Sequence, residues 1–329
     1  MEKLVINFPN QLREALAIAE KAVVTAPTAP VHNIVLAGLG GSGIGGNMVA
    51  ELIKQECKIP FAIYKGYELP AYINENSLVI LSSYSGNTEE TLAACAQAQA
   101  AKAKILAITS GGKLMEIAKE NHYDLIVVPG GMPPRSCLGY SMTQQIAALH
   151  KYGFISETLV QQLASSAELL SSEQADIRGK AKKIAQFLLG KMPIIYATDR
   201  MDAVAVRFRQ QINENSKMLC WHHVIPEMNH NELVGWRDKN NNLAVIIFRN
   251  EDDFTRNQMR IDINKEVFEN YTNTIIDVWS KGSSLCERMM YLVHLGDFIS
   301  TDLAELRNLD PTEVKVIDYL KNELSKVAI

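Results

Sequence analysis

Short apolar runs alternating with helical stretches set the rhythm of this chain. Ile34–Ala37, Phe61–Tyr64, Leu78–Leu81, Ile105–Ile108 and Leu125–Val128 are brief, mainly aliphatic and bounded by turn residues, as buried strands are. Helical patterns lie between them, over Met48–Cys57 and from Glu89 through Ala93, Ala94 and Ala96. An amphipathic helix over Gln11–Val24 precedes the first strand and ends at Ala26–Pro30, because proline cannot continue a helix. This alternation predicts a parallel sheet with helices on both faces. Ser141–Tyr152 and Glu157–Leu189 read as helices without strands, connecting two halves. Strands return at Ile194–Ala197, Leu243–Phe248 and Thr274–Val278, and helices over Ser284–Leu306 and Pro311–Lys326 follow. Pro311 suits a first helical turn with Asp310 as its cap. The second half reads as a degenerate copy of the first. Its opening turn, Thr198-Asp199-Arg200, lacks glycines. The expected fold class is α/β: two doubly wound parallel-sheet (αβα sandwich) domains, 1–152 and 153–329, since 329 residues exceed one ordinary domain.

Composition narrows the partners. Lys and Arg number 33 against 37 Asp and Glu, a net charge of −4. Without a basic excess, nucleic acid is not an expected partner. An anionic small molecule would be held by a few local cations and backbone groups. No apolar run approaches the ~20 residues needed to cross a bilayer, and Met1–Leu16 lacks the basic and apolar regions of a signal peptide. Cys57, Cys95, Cys137, Cys220 and Cys286 are scattered, odd in number and in no CxxC pair. Free thiols in a reducing cytoplasm, with no structural zinc, are therefore expected.

Candidate chemistry concentrates in two turns. After the apolar run 78–81 come Ser82-Ser83-Tyr84-Ser85-Gly86-Asn87-Thr88 and then a helix. A helix N-terminus leaves N–H groups free and carries partial positive charge. Hydroxyls added to such a cup make an anion site. One N-cap needs a single hydroxyl, and Ser83, Ser85 and Thr88 exceed that. The other turn, Gly38-Leu39-Gly40-Gly41-Ser42-Gly43, matches GxGxxG between a strand and a helix. A dinucleotide site also expects an acid at the end of the second strand. Here that strand ends Tyr64-Lys65-Gly66. A glycine-rich and a hydroxyl-rich turn on one sheet edge fit a compact phosphomonoester better than a pyrophosphate.

GLGGSG followed by SSYSGNTEET resembles the sugar isomerase (SIS) superfamily of phosphosugar-binding domains. Pro133-Pro134-Arg135, Asn213–Lys217 (NENSK), Glu227–Trp236 (EMNHNELVGW), Leu295–Leu306 (LGDFISTDLAEL) and Asp310–Lys321 (DPTEVKVIDYLK) narrow the resemblance to the bifunctional phosphoglucose/phosphomannose isomerase family. The segments come in the family's order and cover nearly the whole chain. The resemblance implies two SIS-type domains, a homodimer, no metal, no cofactor, and interconversion of fructose 6-phosphate with glucose 6-phosphate and mannose 6-phosphate. Carried over position by position, Gly41, Ser42, Ser83, Ser85 and Thr88 would bind phosphate. Arg135, Glu214, His230 and Lys321 would carry the chemistry, with His230 supplied across the dimer interface. One departure is Val314-Lys315, where family members can carry Thr-Pro; Thr312 lies nearby.

The residue types suit those roles. Aldose–ketose isomerisation needs one base to move a proton between C1 and C2, and a carboxylate can do this. Glu214 closes a helical run from Met201, where a solvated glutamate would look the same. An enediolate wants a fixed cation, and guanidinium is always protonated with a rigid donor fork. Arg135 follows two prolines, although lone loop arginines usually make surface contacts. Ring opening needs proton transfer between O5 and O1, which histidine performs near neutral pH. His222, His223 and His230, with Glu227 and Glu232, lack a familiar zinc-ligand spacing. Lys321 could assist ring opening, with Lys315 as its rival. Two other readings stay open: a phosphosugar sensor without catalysis, and an isomerase for an amino sugar or pentose phosphate. A sensor would not need Glu214 or Arg135.

Overall fold

The structure, a computed structural model, describes residues 1–326. In chain order the elements are α1 (Glu2–Ile6), α2 (Phe8–Lys21), β1 (Asn33–Ala37), α3 (Gly40–Ile53), β2 (Phe61–Tyr64), β3 (Ser77–Ser82), α4 (Glu89–Ala100), β4 (Lys104–Thr109), α5 (Gly112–Glu120), β5 (Asp124–Val127), α6 (Leu138–Lys151), α7 (Thr158–Ser172) and α8 (Gln174–Leu188). There follow β6 (Met192–Thr198), α9 (Asp202–Ser216), β7 (Trp221–Ile225), β8 (Leu243–Arg249), α10 (Thr255–Phe268), β9 (Ile275–Trp279), α11 (Leu285–Leu306) and α12 (Lys315–Leu324). Two compact units result. One comprises Lys3–Gln174 with Ser280–Leu292; the other comprises Met1–Glu2, Ala175–Trp279 and the residues from Val293 onward.

The first unit holds a five-stranded parallel sheet in the order β2-β1-β3-β4-β5. Every residue of β3 is buried, which is why its middle, Leu78–Leu81, is a continuous apolar run with no polar alternation. The chain moves from β1 to β2 on one side and then to β3 on the other. The β1/β3 boundary is therefore the switch point, where open α/β sheets form ligand crevices. At the opposite edge Asp124, starting β5, accepts hydrogen bonds from Thr25 N (3.0 Å), Thr25 Oγ1 (2.8 Å) and Tyr152 Oη (2.6 Å), and Lys104 Nζ lies at 3.0 Å. This ties Thr25, just before the proline-containing segment, to the start of β5.

The second unit repeats the topology with four parallel strands, β7-β6-β8-β9. Its two faces have separate partners. Ile194, Tyr196, Val245 and Ile247 pack with Met228, Ile261 and Phe268, whereas Phe248 meets Phe208 of α9 at a ring separation of 5.6 Å. Elements thus cover both faces, as the α/β class expects.

Three local readings change. Residues 221–225, not expected to be a strand, form β7, a half-buried edge strand whose histidines hide the apolar alternation. The glycine turn is already helical, since α3 begins at Gly40 rather than Met48. The last helix begins at Lys315 rather than Pro311. Asp310 Oδ1 accepts Thr312 N at 2.8 Å and Glu313 Oε2 accepts Lys315 N at 3.0 Å, so these side chains hold turns where the helix was expected.

Candidate functional site

In the first unit the two turns meet at the switch point, and the glycines are explained by how closely the backbone approaches. A Cβ on Gly38 would lie 2.6 Å from Ser82 O, and one on Gly43 would lie 2.4 Å from Gly38 O. A Cβ on Gly41 would come within 3.1 Å of Pro134 O and 4.0 Å of Arg135 Cα. Gly41 therefore lets the α3 N-terminus sit against the short turn Pro134–Ser136. Arg135 on that turn is buried, unlike a surface arginine. Ser42 is buried in the first turn of α3, where N–H groups have no intrahelical acceptor.

The hydroxyl-rich turn follows β3. Thr88 occupies the N-cap position of α4, yet its hydroxyl pairs with Ser83 Oγ at 2.9 Å. Ser83 Oγ also accepts Gly86 N at 3.1 Å, and Ser85 Oγ accepts Asn87 N at 3.3 Å. Ser83 is buried, Thr88 half-buried and Ser85 exposed, so the hydroxyls run from the core to the surface. Gly86 has φ +71°, and a Cβ there would be 1.8 Å from Gly111 O; only glycine fits.

Sequence reasoning overlooked the groups that hold this cup together. Gln145 on α6 donates through Nε2 to Ser42 O and to Ser82 Oγ, both at 3.2 Å, joining the two turns. Gln11 Nε2 donates to Ser136 O at 2.8 Å and its Oε1 accepts Gly139 N at 2.9 Å, fixing the turn that bears Arg135. Tyr84 Oη accepts Met132 N at 3.2 Å. Burial pushes that phenol up, so it stays protonated. The signal was present for Gln11, a polar residue on the apolar side of its helix, but a buried glutamine on α6 has none. Lys65, at the end of β2 where a dinucleotide fold would place its acid, donates to Asn47 of α3.

The other candidates lie in the second unit. Glu214 is half-buried near the C-terminal end of α9. Lys217, the left-handed residue closing that helix, donates from Nζ to Glu214 O at 2.5 Å and to Glu313 O at 2.6 Å. The end of α9 is thereby tied to the segment leading into α12, which carries Lys315 at its start and Lys321 further along, both exposed. His230 ends a short turn, Glu227–His230, and is exposed. The elements that carry His230 and Glu214 pack on different faces of the second sheet. Met228 anchors the histidine's turn to the Tyr196–Phe268 face of the second sheet, while α9 packs on the Phe248 face.

The neighbouring histidines and acids have other engagements. Glu232 accepts from Tyr196 and from Trp221 Nε1, and His223 Nδ1 accepts Val224 N at 2.7 Å. Burial holds His222 below the ordinary imidazole value. Among the described residues, no three His, Cys, Asp or Glu side chains form a metal-holding group, and no helix is long and apolar enough to cross a membrane.

Fold and cup together define the class. Residues 29–150 match the SIS domain, and residues 177–324 match the bacterial phospho-glucose isomerase C-terminal SIS domain. Tagatose-6-phosphate ketose/aldose isomerase from Escherichia coli shares the fold, with a TM-score of 0.70 at 17% identity over 94% of each chain. The bifunctional phosphoglucose/phosphomannose isomerase of Caldicellulosiruptor bescii is 39% identical over 99% of both chains. That of Aquifex aeolicus is 36% identical over 99% of this chain and 98% of its own. The chain belongs to the bifunctional phosphoglucose/phosphomannose isomerase family.

Proposed function

We propose that this protein is an aldose–ketose isomerase that interconverts fructose 6-phosphate with glucose 6-phosphate and mannose 6-phosphate through a cis-enediolate. The observation that carries this reading is the near-full-length relationship to bifunctional isomerases at 39% identity. The cup at the β1/β3 switch point agrees with it, because it offers hydroxyl and helix N-terminal donors to a phosphomonoester. Gly41, Ser42, Ser83, Ser85 and Thr88 are its phosphate anchors, and holding that end orients C1 and C2.

In the proposed reaction the C2–H bond of the open-chain aldose breaks and its proton passes to Glu214. The electron pair forms the C1–C2 double bond of the enediolate, whose oxygens face the Arg135 guanidinium. Glu214 returns the proton to C1 while the O2–H proton passes to O1, so that O1 becomes a hydroxyl and O2 the ketose carbonyl. His230 and Lys321 move the proton between O5 and O1 that opens the ring. These protein groups suffice for the proton balance without a metal or cofactor.

His230 serves the neighbouring subunit of a homodimer. Its exposure, and the sheet standing between its turn and α9 in one chain, support that assignment. The protein would work in the cytoplasm, where its five cysteines, none of them in a disulfide, stay reduced.

Glu214→Gln is the test. Removing a general base lowers kcat by about 10³-fold while fructose 6-phosphate still binds. Near-parental turnover in this variant removes Glu214 from the mechanism.

A further inference from the structure

The helix that carries Glu214 is held by a buried polar clamp. Arg207, Gln211 and Asn215 recur at intervals of four along α9, so they share one side of it. Asp297 Oδ2 accepts Arg207 Nη2 at 2.7 Å, and its Oδ1 accepts Gln211 Nε2 at 2.9 Å. One turn later on α11, Ser300 Oγ accepts Asn215 Nδ2 at 2.9 Å and donates to Asp297 O at 2.7 Å. Ser216 Oγ donates to Ser300 O at 2.7 Å. All six residues are at least 95% buried, from Ser300 at 0% exposure to Asp297 at 5%. Arg307 closes the set by donating to Ser216 O and, at 3.1 Å, to Lys217 O.

Gly296 sets the spacing. A Cβ there would stand 2.9 Å from Phe208 Cδ2, so glycine lets the helices approach closely enough for short side chains to bond. An apolar interface would be at least as stabilising, because a buried ion pair loses hydration on both partners. What hydrogen bonds add is registration: apolar faces tolerate small rotations and slides, whereas donor–acceptor pairs do not.

We propose that Asp297 and Ser300 are positioning residues that fix the rotation of α9 and so aim the Glu214 carboxylate at C1 and C2. Glu214 sits one residue before Asn215 and seven after Arg207, flanking the clamped side. Side-chain tips lie about 5–6 Å from a helix axis, so a 10° rotation displaces the carboxylate by about 1 Å. Such a misplacement at a reacting centre costs up to about 100-fold in rate. None of the clamp hydrogen bonds given above involves a phosphate anchor, so substrate affinity is expected to be independent of it. This inference rests on Glu214 being the base.

Ser300→Ala and the more disruptive Asp297→Asn test it, beside Glu214→Gln as reference. The measurements are kcat and KM for fructose 6-phosphate, thermal unfolding, and the fraction of solvent deuterium entering the product. Ser300→Ala is expected to stay folded at the assay temperature, lose about tenfold in kcat and keep KM within about twofold. The deuterium fraction should rise, because a misaimed base returns its proton more slowly and exchanges it first. If Glu214→Gln is inactive while both clamp variants keep parental kcat and deuterium content, the clamp is structural only and the inference fails. Loss of kcat in Ser300→Ala solely in proportion to unfolded protein contradicts it too. If Glu214→Gln is active, the base assignment itself has fallen.

Discussion

The two parallel sheets present the same topological position in opposite chemical states. At the β1/β3 switch point, the turn after β3 carries the hydroxyls of Ser83, Ser85 and Thr88, and the turn after β1 is the first turn of α3, which holds Ser42. At the β6/β8 switch point, Asp253 fills the corresponding turn. Its Oδ1 accepts Thr198 Oγ1 at 2.9 Å and Asn250 Nδ2 at 3.1 Å, and Arg200 Nη1 donates to Asp252 O at 2.8 Å. In the second turn the hydrogen bonds converge on a carboxylate, whereas in the first they run among hydroxyls and backbone N–H groups. The shared topology puts a strand-end turn at both places, and the resident side chains set its chemistry.

Removing donors from the first cup should have the largest effect. Ser83→Ala with Ser85→Ala removes two hydrogen bonds to a charged group, each worth about 1.5 kcal/mol. KM for fructose 6-phosphate should then rise about 100-fold, at 1.4 kcal/mol per tenfold. An unchanged KM would mean that these hydroxyls only shape the turn.

A smaller, thermal effect separates the two buried aspartates. Burial pushes Asp124 up, but the bonds from Tyr152, Lys104 and Thr25 outweigh it and hold the carboxyl below its ordinary value. Its contribution to stability is therefore present above the ordinary carboxylate range and lost as pH falls through the depressed value. Asp124→Asn should cost about 2–3 kcal/mol, lowering Tm at pH 7 by about 4–12 °C, with the difference shrinking in acid. Equal Tm at pH 7 would contradict the assignment.

Asp253 has the opposite sign and the smallest expected effect. Burial raises its carboxyl above the ordinary value despite Asn250 and Thr198. The folded state holds the proton more tightly, so stability falls as pH rises from the ordinary value through the raised one. Asp253→Asn keeps the Oδ1 acceptor and removes the buried charge, and should leave Tm at pH 7 unchanged or slightly higher, within about 0.5 kcal/mol. KM should not move. A large KM increase would break the contrast between the turns.

Legibility in the sequence followed the physics of each element. Strands buried on both faces announce themselves as apolar runs, so β3, β4 and β8 were readable, whereas β7, at an edge with two histidines, was not. The cup's hydroxyls were readable because they exceed what a helix cap requires. Gln145 was not, since nothing local marks a glutamine that will bridge two distant turns. Asp297 sits in LGDFIS, a stretch that marked the family but showed no reason for its acid until α9 was seen against it. The start of α12 was misjudged because Asp310 can cap a helix or close a turn with the same carboxylate.

The most direct test of the central claim follows fructose 6-phosphate by NMR in deuterated water with the unmodified protein. Both glucose 6-phosphate and mannose 6-phosphate should appear, with deuterium at C2 of each aldose. Neither aldose forming, or both forming without deuterium at C2 under prolonged equilibration, would contradict an enediolate isomerase with an exchangeable base.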